Sequence, residues 1–220
     1  MSVITVSGEF GSEGVYVAKL VARALDYHFV DKDAMGLVFR EYGFNDFAQV
    51  YEAEPGFLAS WDDHRTEIVK MLDKVNRALA RHGNMVILEG GAFAVLSALS
   101  DVLNVRIQAS LPARVQWAME HHDFSDRVKA EAFVSERDKA RADFVEFSYK
   151  VRWDSVRAFD LVVDTDKLSP DLVVKWVIEA HKALVASKKN PLGQGSTRAI
   201  EVDPILAGTI STALGCTAAH

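Results

Sequence analysis

Three glycines between residues 8 and 14 are the part of this chain whose spacing most directly implies chemistry. They lie in VITVSGEFGSEGVYVAKLVARALDY, Val3 to Tyr27. Gly8, Gly11 and Gly14 let the backbone turn sharply and bring its N–H groups close to a ligand, with Ser7, Ser12 and Glu13 interleaved. After Gly14, Val17, Leu20, Val21, Ala24 and Leu25 recur at helical spacing. A helix N-terminus carries partial positive charge and unpaired donors, so this turn favours an anion, phosphate above all.

The common phosphate loop reads GxxxxGK[ST], with Lys on the outer phosphates and the hydroxyl on magnesium. Here Gly14 is followed by Val15 and Tyr16, so neither group stands at its usual place. Lys19 lies more than one turn further along a helix that rises ~1.5 Å per residue, and is expected to point away from the loop. Glu13 adds a carboxylate. At ~5 Å and an effective dielectric of ~20, it would cost about 3 kcal/mol beside one phosphate charge. Either Glu13 faces solvent or a metal ion lies between it and the ligand.

These residues need a scaffold, and the pattern supplies one. Val3 to Val6 reads as a buried central strand, His28 to Asp31 as a second, Met85 to Glu89 as a third, Val102 to Ala109 as a fourth and Phe159 to Asp164 as a fifth. Helical stretches fall between them. Residues 32–53 are helical with a break at Gly43, Glu54-Pro55-Gly56 is a turn, residues 61–82 form a long amphipathic helix, Pro112 suits a first helical turn, and Ser169 to Ser187 closes the core. Alternation of this kind predicts an α/β fold with a central parallel sheet covered on both faces. Two carboxylates then stand at strand ends, where open α/β sheets place their ligand crevice. Asp31 either holds magnesium or orients an acceptor hydroxyl, or else caps the next helix; Glu89 either holds magnesium or caps a short helix.

Composition narrows the classes. A chain of 220 residues can bury a sizeable core as one large α/β domain. Its net charge of −6 argues against nonspecific nucleic-acid binding, which needs a basic face. Cys216 is the single cysteine, so no intramolecular disulfide forms. No apolar run approaches ~18 residues and no signal pattern opens the chain, so no membrane segment is expected and the cytoplasm is the default compartment. His121-His122 lies at a polar helix end, where adjacent histidines diverge and make a poor metal site. Trp61, Trp117, Trp153 and Trp176 read as packing residues.

The motifs, taken in order, resemble the cytidylate kinase-like proteins, a branch of the phosphate-loop nucleoside monophosphate kinases whose loop reads approximately SRxxGSGGRxIA. Ser7, Gly11, Ser12, Gly14, Val17 and Ala18 match that loop, and Val30-Asp31-Lys32 matches a following YDK in part. A VIVGRGAxxVL segment is matched by Val86-Ile87-Leu88, Gly91-Ala92 and Val95-Leu96. A DKxRAxY segment is matched by Asp138-Lys139, Arg141-Ala142 and Phe144. The late strand and helix resemble FDLVVDTDKLSPDLVVKWV, and the likeness spans roughly residues 2–184. The departures concern charge. Arginines of the family pattern fall at Gly8, Val15, Gly90 and Trp117, and its second tandem glycine falls at Glu13.

The resemblance implies a three-layer phosphate-loop fold with a five-stranded sheet over residues 1–186, a helical acceptor-side insertion at 32–82 and a lid at 124–152. It implies ATP and Mg2+ as cofactors and a nucleoside monophosphate or related small phosphorylated acceptor as partner. Arg137, Lys139 and Arg141 fall where the family's lid places cations over the transferring phosphates; a solvated helix of i,i+4 pairs is the other reading of that stretch. Arg137 and Arg141 share a helix face, and Lys139 faces elsewhere. Arg114, after Pro112, either binds a phosphate or makes a surface ion pair. On this pattern Gly8 and Gly11 to Gly14 hold donor phosphates, Lys139 and Arg141 neutralise the moving group, Arg114 holds the acceptor phosphate and Asp31 orients acceptor or metal. Loss of loop cations, each worth orders of magnitude in rate, favours a second reading as a non-catalytic nucleotide or anion sensor. Phosphorylation of a different small acceptor is a third. Residues 187–220 read as a tail, with Lys188 to Pro191 as linker and Ile205 to Leu214 as an arm that docks on the domain or on a second copy.

Overall fold

The computed structural model describes residues 2–52, 62–187 and 195–215. The turn expected at residues 54–56, the start of the helix expected at Trp61, the linker at 188–191 and Cys216 lie outside them. Five parallel strands form one sheet in the order β2-β3-β1-β4-β5, comprising β1 (Val3–Gly8), β2 (His28–Val30), β3 (Met85–Leu88), β4 (Val102–Gln108) and β5 (Leu161–Asp164). β1 is buried along its whole length because it has neighbours on both edges and helices on both faces, which explains its run of β-branched residues.

Successive side chains of β1 point to opposite faces, and each face has its own core. Ile4 and Val6 pack with Val86, Val105 and Ile107 against α1 (Gly14–Leu25) and α8 (Pro170–Ala186). Val3 packs with Met85 and Ile87 against α2 (Lys32–Glu41), α3 (Phe47–Glu52) and α4 (Asp62–His82). Helix, sheet and helix make three layers. Gly43, at φ +84°, breaks the chain between α2 and α3. Three further helices, α5 (Ala92–Val95), α6 (Leu111–His121) and α7 (Arg127–Tyr149), follow β3 and β4. Val115 and Ala118 of α6 pack on Ala130 and Val134 of α7 in a small separate core.

Two sequence expectations shift. The fifth strand begins at Leu161, because Phe159 closes a 3-10 turn at Val156–Ala158 and the Asp160 carboxylate accepts the amide of Asn104 at 2.8 Å. The apolar stretch near the C-terminus is α9 (Pro204–Leu214), and Leu206 and Ile210 enter the core beside α2 and α4. The arm therefore docks on its own chain. Among the described residues, no helix is long and apolar enough to cross a membrane.

Candidate active site

The C-terminal ends of β1, β3 and β4 converge, and the loops beyond them build the site. After β1 the chain turns at Gly11, φ +81°, where an added Cβ would stand 3.0 Å from the Arg114 carbonyl oxygen. Only glycine fits there without displacing α6. Ser12 is buried, its hydroxyl 2.7 Å from the Glu9 carbonyl and 3.2 Å from that of Ile107. Glu13 is held in the left-handed region, φ 60°, and its side chain does not cap α1. The amides of Gly8, Glu9, Phe10 and Ser12 all have acceptors within the protein. Those of Gly11, Glu13 and Gly14 find none among the described residues, and they open the helix N-terminus toward a ligand.

Charges behind the loop fix its shape. Arg106 rises from the middle of β4, only 2% exposed, stacks 4.4 Å from the Trp153 ring centroid and donates to the Trp153 carbonyl at 2.9 Å. Its other nitrogen lies 3.4 Å from Glu9, whose carboxylate also accepts the Ala109 amide at 3.1 Å. Arg114 lies 3.4 Å from Glu9 and makes a close ion pair with Asp138 of α7. Asp138 in turn accepts the Phe10 amide at 2.8 Å. Trp153 donates from Nε1 to the buried Ser7 hydroxyl at 3.1 Å. The loop is thus tied to β4, α6 and α7 by groups that face away from its open amides.

Two cavities meet in front of it. One, about 560 Å3, is lined by Gly8, Gly11, Glu13, Gly14, Trp117 and Lys19 among others. The second, about 290 Å3, is lined by Asp31, Lys32, Asp33, Tyr51 and Arg137. Phe10, Val15, Leu88, Glu89 and Arg141 belong to both walls. Arg141 donates to the Gly8 carbonyl at 3.1 Å, and its Nε stands 4.0 Å from Glu89. Glu89 accepts the Gly8 amide at 2.9 Å. Burial pushes the Glu89 carboxyl above its ordinary value of 4.5, while Arg141 and the Gly8 amide oppose that shift.

Glu89, Gly90 and Gly91 all have positive φ, between 64° and 66°. A Cβ on Gly91 would stand 2.1 Å from the Tyr149 ring, and one on Gly90 would stand 3.2 Å from Met35. A side chain at position 90 would press on the flexible end of Met35 and hold a strained backbone.

The structure gathers the expected residues selectively. Gly8, Gly11, Glu13, Gly14, Glu89, Arg137, Arg141 and Asp31 line one cavity or the other. Asp31 also caps α2, accepting the Ala34 amide at 3.0 Å, so its two readings coexist. Lys139 is exposed on the continuous helix α7 and lines neither cavity, as does not Arg114, which is buried in its pair with Asp138. Ser7 and Ser12 brace the loop from below.

Lys19 lines the larger cavity, one turn beyond Val15 on the same face of α1, and its Nζ lies over Phe29 of β2, 5.5 Å from the ring centroid. Trp117 lines the same cavity and Trp153 is buried, whereas Trp176 is 40% exposed. Arg106, Glu9, Phe10 and Tyr16 carry much of the arrangement without any motif. A usable signal existed only for Arg106, a lone charge inside the apolar strand VLNVRIQ, where burial demands a partner.

A parallel sheet with an amide-bearing turn after β1 and cations gathered from α7 is the architecture of a phosphate-loop kinase. The model of the cytidylate kinase-like family matches residues 3–167, and the chain belongs to that family. It is 31% identical over 171 residues to a cytidylate kinase of Pyrobaculum calidifontis, covering 77% of this chain and 86% of that one. A cytidylate kinase of Halobacterium salinarum is 26% identical over 185 residues, covering 84% and 92%. A crystal structure of a protein from Eubacterium ventriosum shares the fold, with a TM-score of 0.64 at 18% identity over 83% of this chain and 99% of that one.

Proposed function

We propose that this protein is a kinase-like phosphotransferase that moves the γ-phosphoryl group of ATP onto a nucleoside monophosphate or a closely related small acceptor. The observation that carries this reading is the meeting of two cavities at Arg141: one holds the open loop amides, the other holds Asp31 and Arg137. Phosphoryl transfer depends on positioning two ligands in line and neutralising the oxygens between them, and Arg141 stands on the shared wall. The Gly11, Glu13 and Gly14 amides receive donor phosphates, with Lys19 as a cation on the same wall. Arg137 holds the acceptor's anionic group, and Asp31 keeps one carboxylate oxygen on its helix cap and presents the other to an acceptor hydroxyl.

The carboxylates suit a divalent cation only with help from the ligand. Among the described residues there is no group of three or more His, Cys, Asp or Glu side chains placed to hold a metal. Mg2+ commonly takes one or two carboxylates and completes its shell with phosphates and water, so Glu89 fits that donor set. When bound at Glu89 it would neutralise phosphate charge on the cavity wall that also carries Glu13.

A second reading rests on the same wall. Gly8, Val15 and Trp117 stand on it where the family pattern has arginines, and the loss of those cations favours a relative that binds a nucleotide without turnover. Calorimetry with ATP, with and without Mg2+, followed by ADP release against a panel of nucleoside monophosphates, separates the two. Mg2+-dependent binding with acceptor-dependent ADP release supports transfer and names the acceptor. Binding without release overturns it in favour of the sensor, and absence of binding rejects both.

A further inference from the structure

The larger cavity has a second half that phosphate chemistry does not use. Beyond the loop its wall is aromatic: Tyr16 of α1 and Trp117 and His121 of α6 line it with Phe10 and Val15. Trp117 and His121 are stacked, ring centroids 4.3 Å apart and planes 11° from parallel. The stack is fixed from two sides. His121 Nδ1 donates to the Trp117 carbonyl at 2.8 Å, and Phe10 packs edge-on against Trp117 at 5.7 Å and 85°. Phe10 is itself a loop residue, its amide held by Asp138 and its ring packed edge-on against Phe133 of α7 at 5.3 Å. The platform and the open amides therefore share one rigid support.

Across α1, Val15 and Tyr16 are 46% and 48% exposed, although both belong to the first turn of a helix whose other face is core. Exposed apolar surface gathered on one cavity of about 560 Å3, with anion donors on its floor, calls for a ligand that is anionic at one end and planar and apolar at the other. We infer that Trp117, backed by His121 and sharing the cavity wall with Tyr16, forms the stacking platform for the heteroaromatic base of the nucleotide whose phosphates lie on the Gly11–Gly14 amides. This deepens the reading of the site given above and rests on it. The platform selects for a ring, and discrimination among rings falls to its edges, since every base has a face that stacks.

Mg2+-ATP and Mg2+-tripolyphosphate, compared by calorimetry on the same protein, isolate the platform, since the second ligand has the phosphates without the base. Wild type should bind ATP more tightly than tripolyphosphate by roughly 5- to 100-fold, the range that one stacked base supports. Trp117→Ala should lose most of that advantage while leaving tripolyphosphate affinity within about 3-fold, and Trp117→Phe should restore part of it. If Trp117→Ala loosens the α6–α7 core, Tyr16→Ala gives the independent variant, since that side chain is exposed and should also lower ATP affinity selectively. Equal affinities for the two ligands in wild type, or equal weakening of both by these variants, would overturn the platform and leave the kinase reading standing. Failure of wild type to bind either ligand would remove the kinase reading and the platform together.

Discussion

In the smaller cavity beside Arg141 the wall carries Asp31, Lys32, Asp33 and Arg137, whereas in the larger one it carries Glu13, Lys19, Tyr16 and Trp117. The first resembles a surface that recognises a small polar anion. The second keeps the backbone of a phosphate turn but replaces much of its side-chain charge with aromatic surface. Arg106 and Arg114 sit behind the turn, paired with Glu9 and Asp138, and they hold the loop instead of the ligand. Shape and charge are therefore separable in such a turn: backbone geometry can persist, braced from outside, while the ligand face changes its chemistry.

The sharpest break in this comparison is at the turn after β3, which serves both cavities. Gly91→Ala places a methyl 2.1 Å from the Tyr149 ring at φ +66°, and should cost about 3 kcal/mol or more, read as a collapse of the thermal transition. Gly43→Ala, at φ +84° with nothing within 4 Å, isolates backbone strain and should cost only ~1 kcal/mol. The bracing cations come next. Arg106→Met removes one of the two buried cations that stand 3.4 Å from Glu9 and should destabilise by about 3 kcal/mol in urea titrations, with the larger cavity losing ligand affinity as the loop loosens.

Glu13→Gly should act in the opposite direction. It removes a left-handed non-glycine residue, gaining ~1 kcal/mol of stability, and takes a carboxylate from the phosphate wall, so Mg2+-ATP should bind more tightly. The smallest effect lies far from the site. His181, with Ser2 at 3.1 Å and the Tyr27 hydroxyl at 3.0 Å, has its pKa lowered from 6.5, chiefly by burial. Its folded pKa lies below its unfolded one, so the unfolded chain binds more protons in that window. Stability should therefore fall as pH drops below 6.5, and His181→Gln should flatten the slope in melts taken between pH 7.5 and about 5.

The sheet was legible because β-branched runs alternate with helical periodicity, and the strands lie where Val3, Met85 and Val102 announce them. The loop was legible from Gly8, Gly11 and Gly14, whose spacing reports backbone geometry. Side-chain reach was not. Lys19 follows Val15 by one turn and shares its cavity wall, while its ammonium lies over Phe29. Lys139 matched a motif by position, but a continuous α7 turns it from the site while presenting Arg137 and Arg141. Arg114 matched too, and only the fold reveals Asp138 beside it. Pairings across more than a hundred residues, such as Phe10 with Asp138 or Ser7 with Trp153, leave no local trace in the chain.

The central claim is that donor and acceptor meet at Arg141, and steady-state turnover with Mg2+-ATP and the preferred nucleoside monophosphate tests it in wild type, Arg141→Ala and Lys139→Ala. The account predicts a fall in kcat/KM of roughly 100-fold or more for Arg141→Ala, with Lys139→Ala within about 3-fold of wild type. An Arg141→Ala variant that folds normally and turns over like wild type would contradict it.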